Sequence, residues 1–142
     1  VVFFNNDLYE VLDSNGVILS IKQNYEGLSS FPLLVGKDAP TNINALLAIV
    51  NEIGSYQSEV LYYEWVGERR WDIHMKSELV FKLPENNLNE GLKVMRMFLR
   101  ETNKLSKTVV SIDLRNINKP IIRFRKAPPV KYIGKNIGRL AG

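Results

Sequence analysis

The sequence predicts an α+β domain: a mixed, mainly antiparallel sheet with two helices packed on one face. Three observations lead there. Short stretches with period-two apolar alternation recur along the chain, separated by Asn, Gly and Pro. Two longer stretches carry an apolar stripe at helical spacing on one side only. The order is hairpin, helix, three strands, helix, two strands, so both one-sided helices need a sheet face to cover them.

Val1 to Phe4 is β-branched and aromatic, the end of a strand begun upstream, and Asn5-Asn6-Asp7 is a turn. Leu8–Leu12 and Val17–Ile21 flank Asp13-Ser14-Asn15-Gly16, and Asn-Gly between apolar runs predicts a hairpin. Residues 22–31 are polar and read as a loop. Phe31 to Gly36 is apolar but broken by Pro32, which reads as a buried connection rather than a strand. Thr41 or Asn42 caps a helix whose stripe is Ile43, Leu46, Leu47, Val50 and Ile53, closed by Gly54.

Three strands follow: Val60–Val66, Trp71–Met75 and Leu79–Leu83. Trp71, Ile73 and Met75 share one face of the second, with Asp72 and His74 opposite. After Pro84, Asn87 with Glu90 forms a capping-box variant opening a helix with the stripe Leu88, Leu92, Met95, Phe98, Leu99 and Thr102. From Lys107 to Arg115, Thr108, Val110, Ile112 and Leu114 alternate with polar residues. A turn at 115–119 leads to Pro120, where a strand opens with least cost from the missing N–H. Ile122 and Phe124 there alternate with Arg123 and Arg125, and Ala127-Pro128-Pro129 ends the pairing. A last strand is a sheet edge, whose unpaired N–H and C=O groups accept a partner strand unless covered.

The 142 residues amount to one domain, with ordinary apolar (45%) and charged (24%) content. The absence of Cys excludes disulfides and thiolate metal sites. No apolar run reaches the roughly 18 residues of a membrane span, and no signal peptide is visible. The chain starts at Val1 and reads as a fragment of something longer. The formal charge of +4 is unevenly placed: residues 1–118 hold 12 Lys and Arg against 15 Asp and Glu, while residues 119–142 hold 7 basic and no acidic residues. The mildly acidic body argues against a nucleic-acid module. A basic tail leaves open adhesion to peptidoglycan or an anionic membrane surface, beside the plain reading of a solvated, disordered tail.

Catalytic devices are missing. His74 is the only histidine, too few for a multi-His metal site, and reads as a solvent-exposed strand residue. No G-x-S-x-G elbow, Walker loop or G-x-G-x-x-G occurs, and the carboxylates are dispersed, though Glu68 and Asp72 can meet near one hairpin. Tyr62, Tyr63, Trp65 and Trp71 read as core residues or cross-strand pairs. The residues call for no cofactor or metal and do not describe an enzyme.

Several stretches in order resemble the bacterial FtsQ/DivIB cell-division family, specifically its membrane-distal β domain. They are Tyr9 to Ile18, Leu33 to Ala39, Arg70 to Ile73, Leu83-Pro84 before a helix, and Ile112-Asp113-Leu114-Arg115. The resemblance implies a single-pass inner-membrane protein with this domain in the periplasm, after a transmembrane helix and a POTRA domain. Residues 1–6 would then be the remnant of POTRA, 7–126 the β domain and 127–142 a basic, disordered tail.

It further implies a non-enzymatic divisome scaffold that binds FtsB, with FtsL and other division proteins, by strand addition to the last strand. Carried onto this sequence, the edge is Pro120, Ile121, Ile122, Arg123, Phe124 and Arg125. Arg115, Asn116 and Lys119 begin the contact surface, and Arg69 or Arg70 supplies a charge partner for FtsB acids. Asn116 is a departure, since some relatives carry an aromatic there. By residue type alone Phe124 reads as core, and it is an anchor only through the resemblance; Trp71 reads as core either way.

Overall fold

The computed structural model describes residues 1–126. The tail expected from 127 to 142 lies outside the described residues. Nine strands form one sheet: β1 (Val2–Asn5), β2 (Leu8–Leu12), β3 (Ile18–Lys22), β4 (Leu33–Val35), β5 (Val60–Val66), β6 (Arg70–Met75), β7 (Val80–Lys82), β8 (Val109–Asp113) and β9 (Ile121–Phe124). Their spatial order is β3-β2-β1-β4-β5-β6-β7-β8-β9. The contacts β1–β4, β4–β5 and β7–β8 are parallel and the other five antiparallel. The mixed, mainly antiparallel sheet is as the sequence predicts.

Two helices, α1 (Ile43–Ile53) and α2 (Leu88–Leu99), are followed by the single turn α3 (Thr102–Leu105). α1 joins β4 to β5 and α2 joins β7 to β8, each a crossover between parallel neighbours. Both crossovers leave strands of the same orientation and step the same way, so right-handed connection puts both helices on one face. There Ile112, Phe81, Ile73, Tyr63, Leu34 and Phe3 lie in cross-strand register and join the buried helix residues in one core. The same row continues past the helices to Ile122 at one edge and Ile21 at the other, where exposure rises to 39% and 55%. The middle of the sheet is dry and both edges are open.

β1, expected to end a preceding domain, lies inside this sheet, antiparallel to β2 and parallel to β4. The Phe31–Gly36 connection is corrected: Leu33–Val35 is the short strand β4, paired on both sides. It stops at Gly36, whose φ is +109° and whose missing Cβ would stand 2.4 Å from the Trp65 carbonyl oxygen. The predicted hairpin forms, with Asp13 Oδ1 accepting the backbone N–H of Asn15 and Val17, and Gly16 at φ +83°.

Four local readings change. In α1 Ile43, Leu46, Ile49 and Ile53 are buried, while Leu47 is exposed and Val50 only half-buried. Asn42 stands at the start of α1, but its side chain donates back to the Asp38 carbonyl, and Trp71 Nε1 donates to the Asn42 carbonyl (3.2 Å). Asn87 precedes α2 with φ +60° and makes no side-chain cap, so the capping box does not form. In β8 a register shift between Val109 and Ser111 puts Val109, Ile112 and Leu114 in the core and leaves Thr108 exposed.

The candidate partner-binding edge

Among the described residues β9 pairs with β8 alone: Phe124 opposite Val109, Arg123 opposite Ser111, Ile122 opposite Ile112 and Ile121 opposite Asp113. All four residues are exposed, Phe124 to 68%. The core reading of Phe124 is therefore corrected. The helix layer does not reach the last strand, and the bulge beside Val109 disturbs the pairing at that point. Among the described residues the outer backbone edge of β9 is unpaired and flanked by apolar side chains, the chemistry that strand addition needs.

At one end of β9 lies a cavity of about 370 Å³, formed by Arg69-Arg70, Glu85-Asn86-Asn87 and Arg115 to Asn118. The three segments are far apart in sequence. They meet because β6 begins where the parallel strands β7 and β8 end. A second recess, of about 320 Å³, is lined by Asp113, Arg115, Asn116, Lys119 and Ile121 and leads toward the strand. Asn116 Oδ1 accepts the Asn118 N–H (3.1 Å) and the Asn116 carbonyl accepts the Lys119 N–H (3.0 Å), which holds the turn ahead of Pro120.

Two carboxylates hold the arginines. Arg115 Nε donates to both Asp113 oxygens (2.9 and 3.0 Å) and its Nη2 to Oδ2 (2.5 Å). Arg70 Nε donates to Asp72 Oδ1 (3.0 Å). The hydrogen bonds from Arg115 hold the Asp113 carboxyl below the usual carboxylate range, and Asp113 in turn raises the Arg115 pKa. Burial pushes the Asp72 carboxyl up, and the Arg70 contact offsets this only in part. Arg69 has no ion pair among the described residues. Arg70 and Arg115 at the cavity are thus held in place by their own carboxylates, and Arg69 is the guanidinium that an incoming carboxylate meets without an ion pair to break among the described residues.

Arg69, Arg70, Arg115, Asn116, Lys119 and Ile121 line the two recesses, and Ile122, Arg123 and Phe124 continue along the edge. Arg125 stands apart at the far end, where its N–H donates to the Thr108 carbonyl (2.7 Å) and its Nη2 to the Ser106 carbonyl (2.8 Å). Sequence reasoning missed the loop 85–87 and the two aspartates. The latter carry a signal: Arg70 with Asp72, and Asp113 with Arg115, are spaced by two, which places each pair on one strand face.

Glu68 and Asp72 do not meet; Glu68 lies 3.9 Å from Lys37. His74 is half-buried rather than solvent-exposed, stacked on Tyr62 (4.3 Å between centroids) with Nε2 2.9 Å from Glu64 Oε1. Trp71 and Tyr63 are core, and Trp65 pairs with Trp71 across the hairpin. Among the described residues no group of three His, Cys, Asp or Glu is placed to hold a metal, and no helix is long and apolar enough to cross a membrane.

The family model "Cell division protein FtsQ/DivIB, C-terminal" matches residues 2–115. The chain belongs to the FtsQ/DivIB family. Within this FtsQ/DivIB-family chain the match ends at Arg115, just ahead of the turn into β9. Relatives named "Cell division protein FtsQ" agree: that of Rhizobium radiobacter is 32% identical over 111 residues, 78% of this chain and 52% of the relative. That of Agrobacterium fabrum is also 32% identical over 78% of this chain, but over only 34% of its own length. The Zymomonas mobilis protein is 30% identical over 126 residues, 88% of this chain and 40% of the relative. The chain thus spans between about a third and a half of these cell-division proteins.

Proposed function

We propose that this FtsQ/DivIB-family domain is a non-enzymatic scaffold module of the divisome, whose last strand accepts a strand from FtsB, with FtsL alongside. The observation that carries the reading is β9, an exposed edge strand that ends at a cavity lined by Arg69, Arg70 and Arg115. Main-chain hydrogen bonds along residues 121–124 would supply affinity, and Ile122 and Phe124 apolar contact. Carboxylates on the incoming strand would meet the arginines and set its register. The module would stand in the periplasm, tethered by an inner-membrane helix outside this chain, with β1 continuing from a preceding POTRA domain.

Calorimetry with a peptide from the periplasmic end of the same organism's FtsB tests the reading. Micromolar or tighter binding is expected (about −8 kcal/mol or better). Ile122→Pro is expected to abolish it, and Phe124→Ala to weaken it, while circular dichroism stays unchanged because both side chains are exposed. Undiminished binding by folded Ile122→Pro would remove this edge as the site.

A further inference from the structure

We propose that the outer face of α2 and α3 is a second docking surface, for an acidic helix of a partner protein that carries an apolar side chain at its centre. The face lies on the helix layer and shares no lining residue with the β9 recesses. α2 turns Leu92, Met95 and Leu99 into the core, which leaves Lys93, Arg96, Met97 and Arg100 around a shallow recess of about 280 Å³. Met97 is 75% exposed, the most exposed large apolar side chain among the described residues.

Charge decides the occupant. Between Asn89 and Lys107 five exposed cations face two acids, Glu90 and Glu101. A merely solvated helix face interleaves both signs. Here Lys93 is paired with Glu90 (3.4 Å) and Arg96 with Glu52 of α1, while Arg100, Lys104 and Lys107 have no ion pair among the described residues. The cations Lys93, Arg96 and Arg100 follow three-and-four spacing around Met97, so an antiparallel or parallel helix with acids at the same spacing meets each of them. An unbranched, adaptable Met in the middle suits a helix laid into a groove. An anionic bilayer is the poorer fit, because insertion needs a broad apolar face and this one has a single apolar residue.

The test uses two synthetic Glu-rich helical peptides, identical except for Leu or Ser at the central position, titrated into the isotope-labelled chain at physiological salt. The Leu peptide is expected to shift the amides of residues 93–104 and to bind about tenfold more tightly than the Ser peptide, the worth of one buried aliphatic contact. Met97→Ser, which touches no core residue, removes that difference, and Lys93→Glu with Arg100→Glu removes binding of both peptides. Equal affinity for the two peptides, shifts that map to Arg69–Arg70 and residues 115–125, or no binding overturns the proposal. None of these outcomes depends on whether β9 accepts a strand.

Discussion

Asp72 and Asp113 each hold an arginine of the edge site, yet they respond oppositely to pH. Asp113 has a lowered folded-state pKa, so it adds stability above its unfolded value near about 3.9 and loses it as pH falls through the folded value. Asp72 has a raised one, so its contribution is complete below the unfolded value and is lost as pH rises through the folded value. Urea unfolding followed across the acid range is expected to show a shallower acid-side loss in Asp113→Asn than in the parent. Asp72→Asn should remove the loss seen on rising pH and leave stability at neutral pH equal or higher. Identical profiles for Asp113→Asn and the parent would sink the assigned Asp113–Arg115 pairing. The sequence places both residues two positions from an arginine but does not show their burial, because the cost of burying a carboxylate depends on neighbours that the fold supplies.

At the scale of elements, α1 shows why a stripe read from sequence can rotate. The helix carries Ile43, Ala45, Leu46, Leu47, Ala48, Ile49, Val50 and Ile53, apolar over more than one side, so several stripes fit equally well. Packing on the sheet selects the one through Ile49. Ile49→Ala is expected to cost about 2–5 kcal/mol in chemical denaturation, against less than about 1 kcal/mol for Leu47→Ala. The reverse order would restore the stripe read from sequence. β4 escaped detection because three residues between Pro32 and Gly36 are too few to show a period. Gly36→Ala tests its boundary: with a clash at the Trp65 carbonyl and an unfavourable φ, more than about 1 kcal/mol of destabilisation is expected. A neutral substitution would mean that β4 can shift to make room.

For the whole molecule, the open edges follow from covering nine strands with two crossover helices. The core row runs from Ile112 to Phe3, and among the described residues the outermost strands β9 and β3 rest on one neighbour each. Amide hydrogen exchange is expected to be slowest in β5, β6 and β7 and fastest in β9 and β3. A peptide that adds to β9 should slow exchange at residues 121–124 and leave β3 unchanged. Slowing at β3 instead would move the docking edge to the other side of the sheet.

The longer strands, the places of the two main helices, the hairpin turn and the final basic strand were determined by the sequence, because they rest on periodicity and turn chemistry within a few residues. The family motifs were legible for the same reason, as short local patterns in order. Only the tertiary structure decided that Arg69, Arg70, Arg115 and the loop 85–87 share a cavity and that Phe124 stays in solvent. Those facts depend on which strand ends meet and how far the helices reach, and such long-range geometry leaves no period in the chain to read.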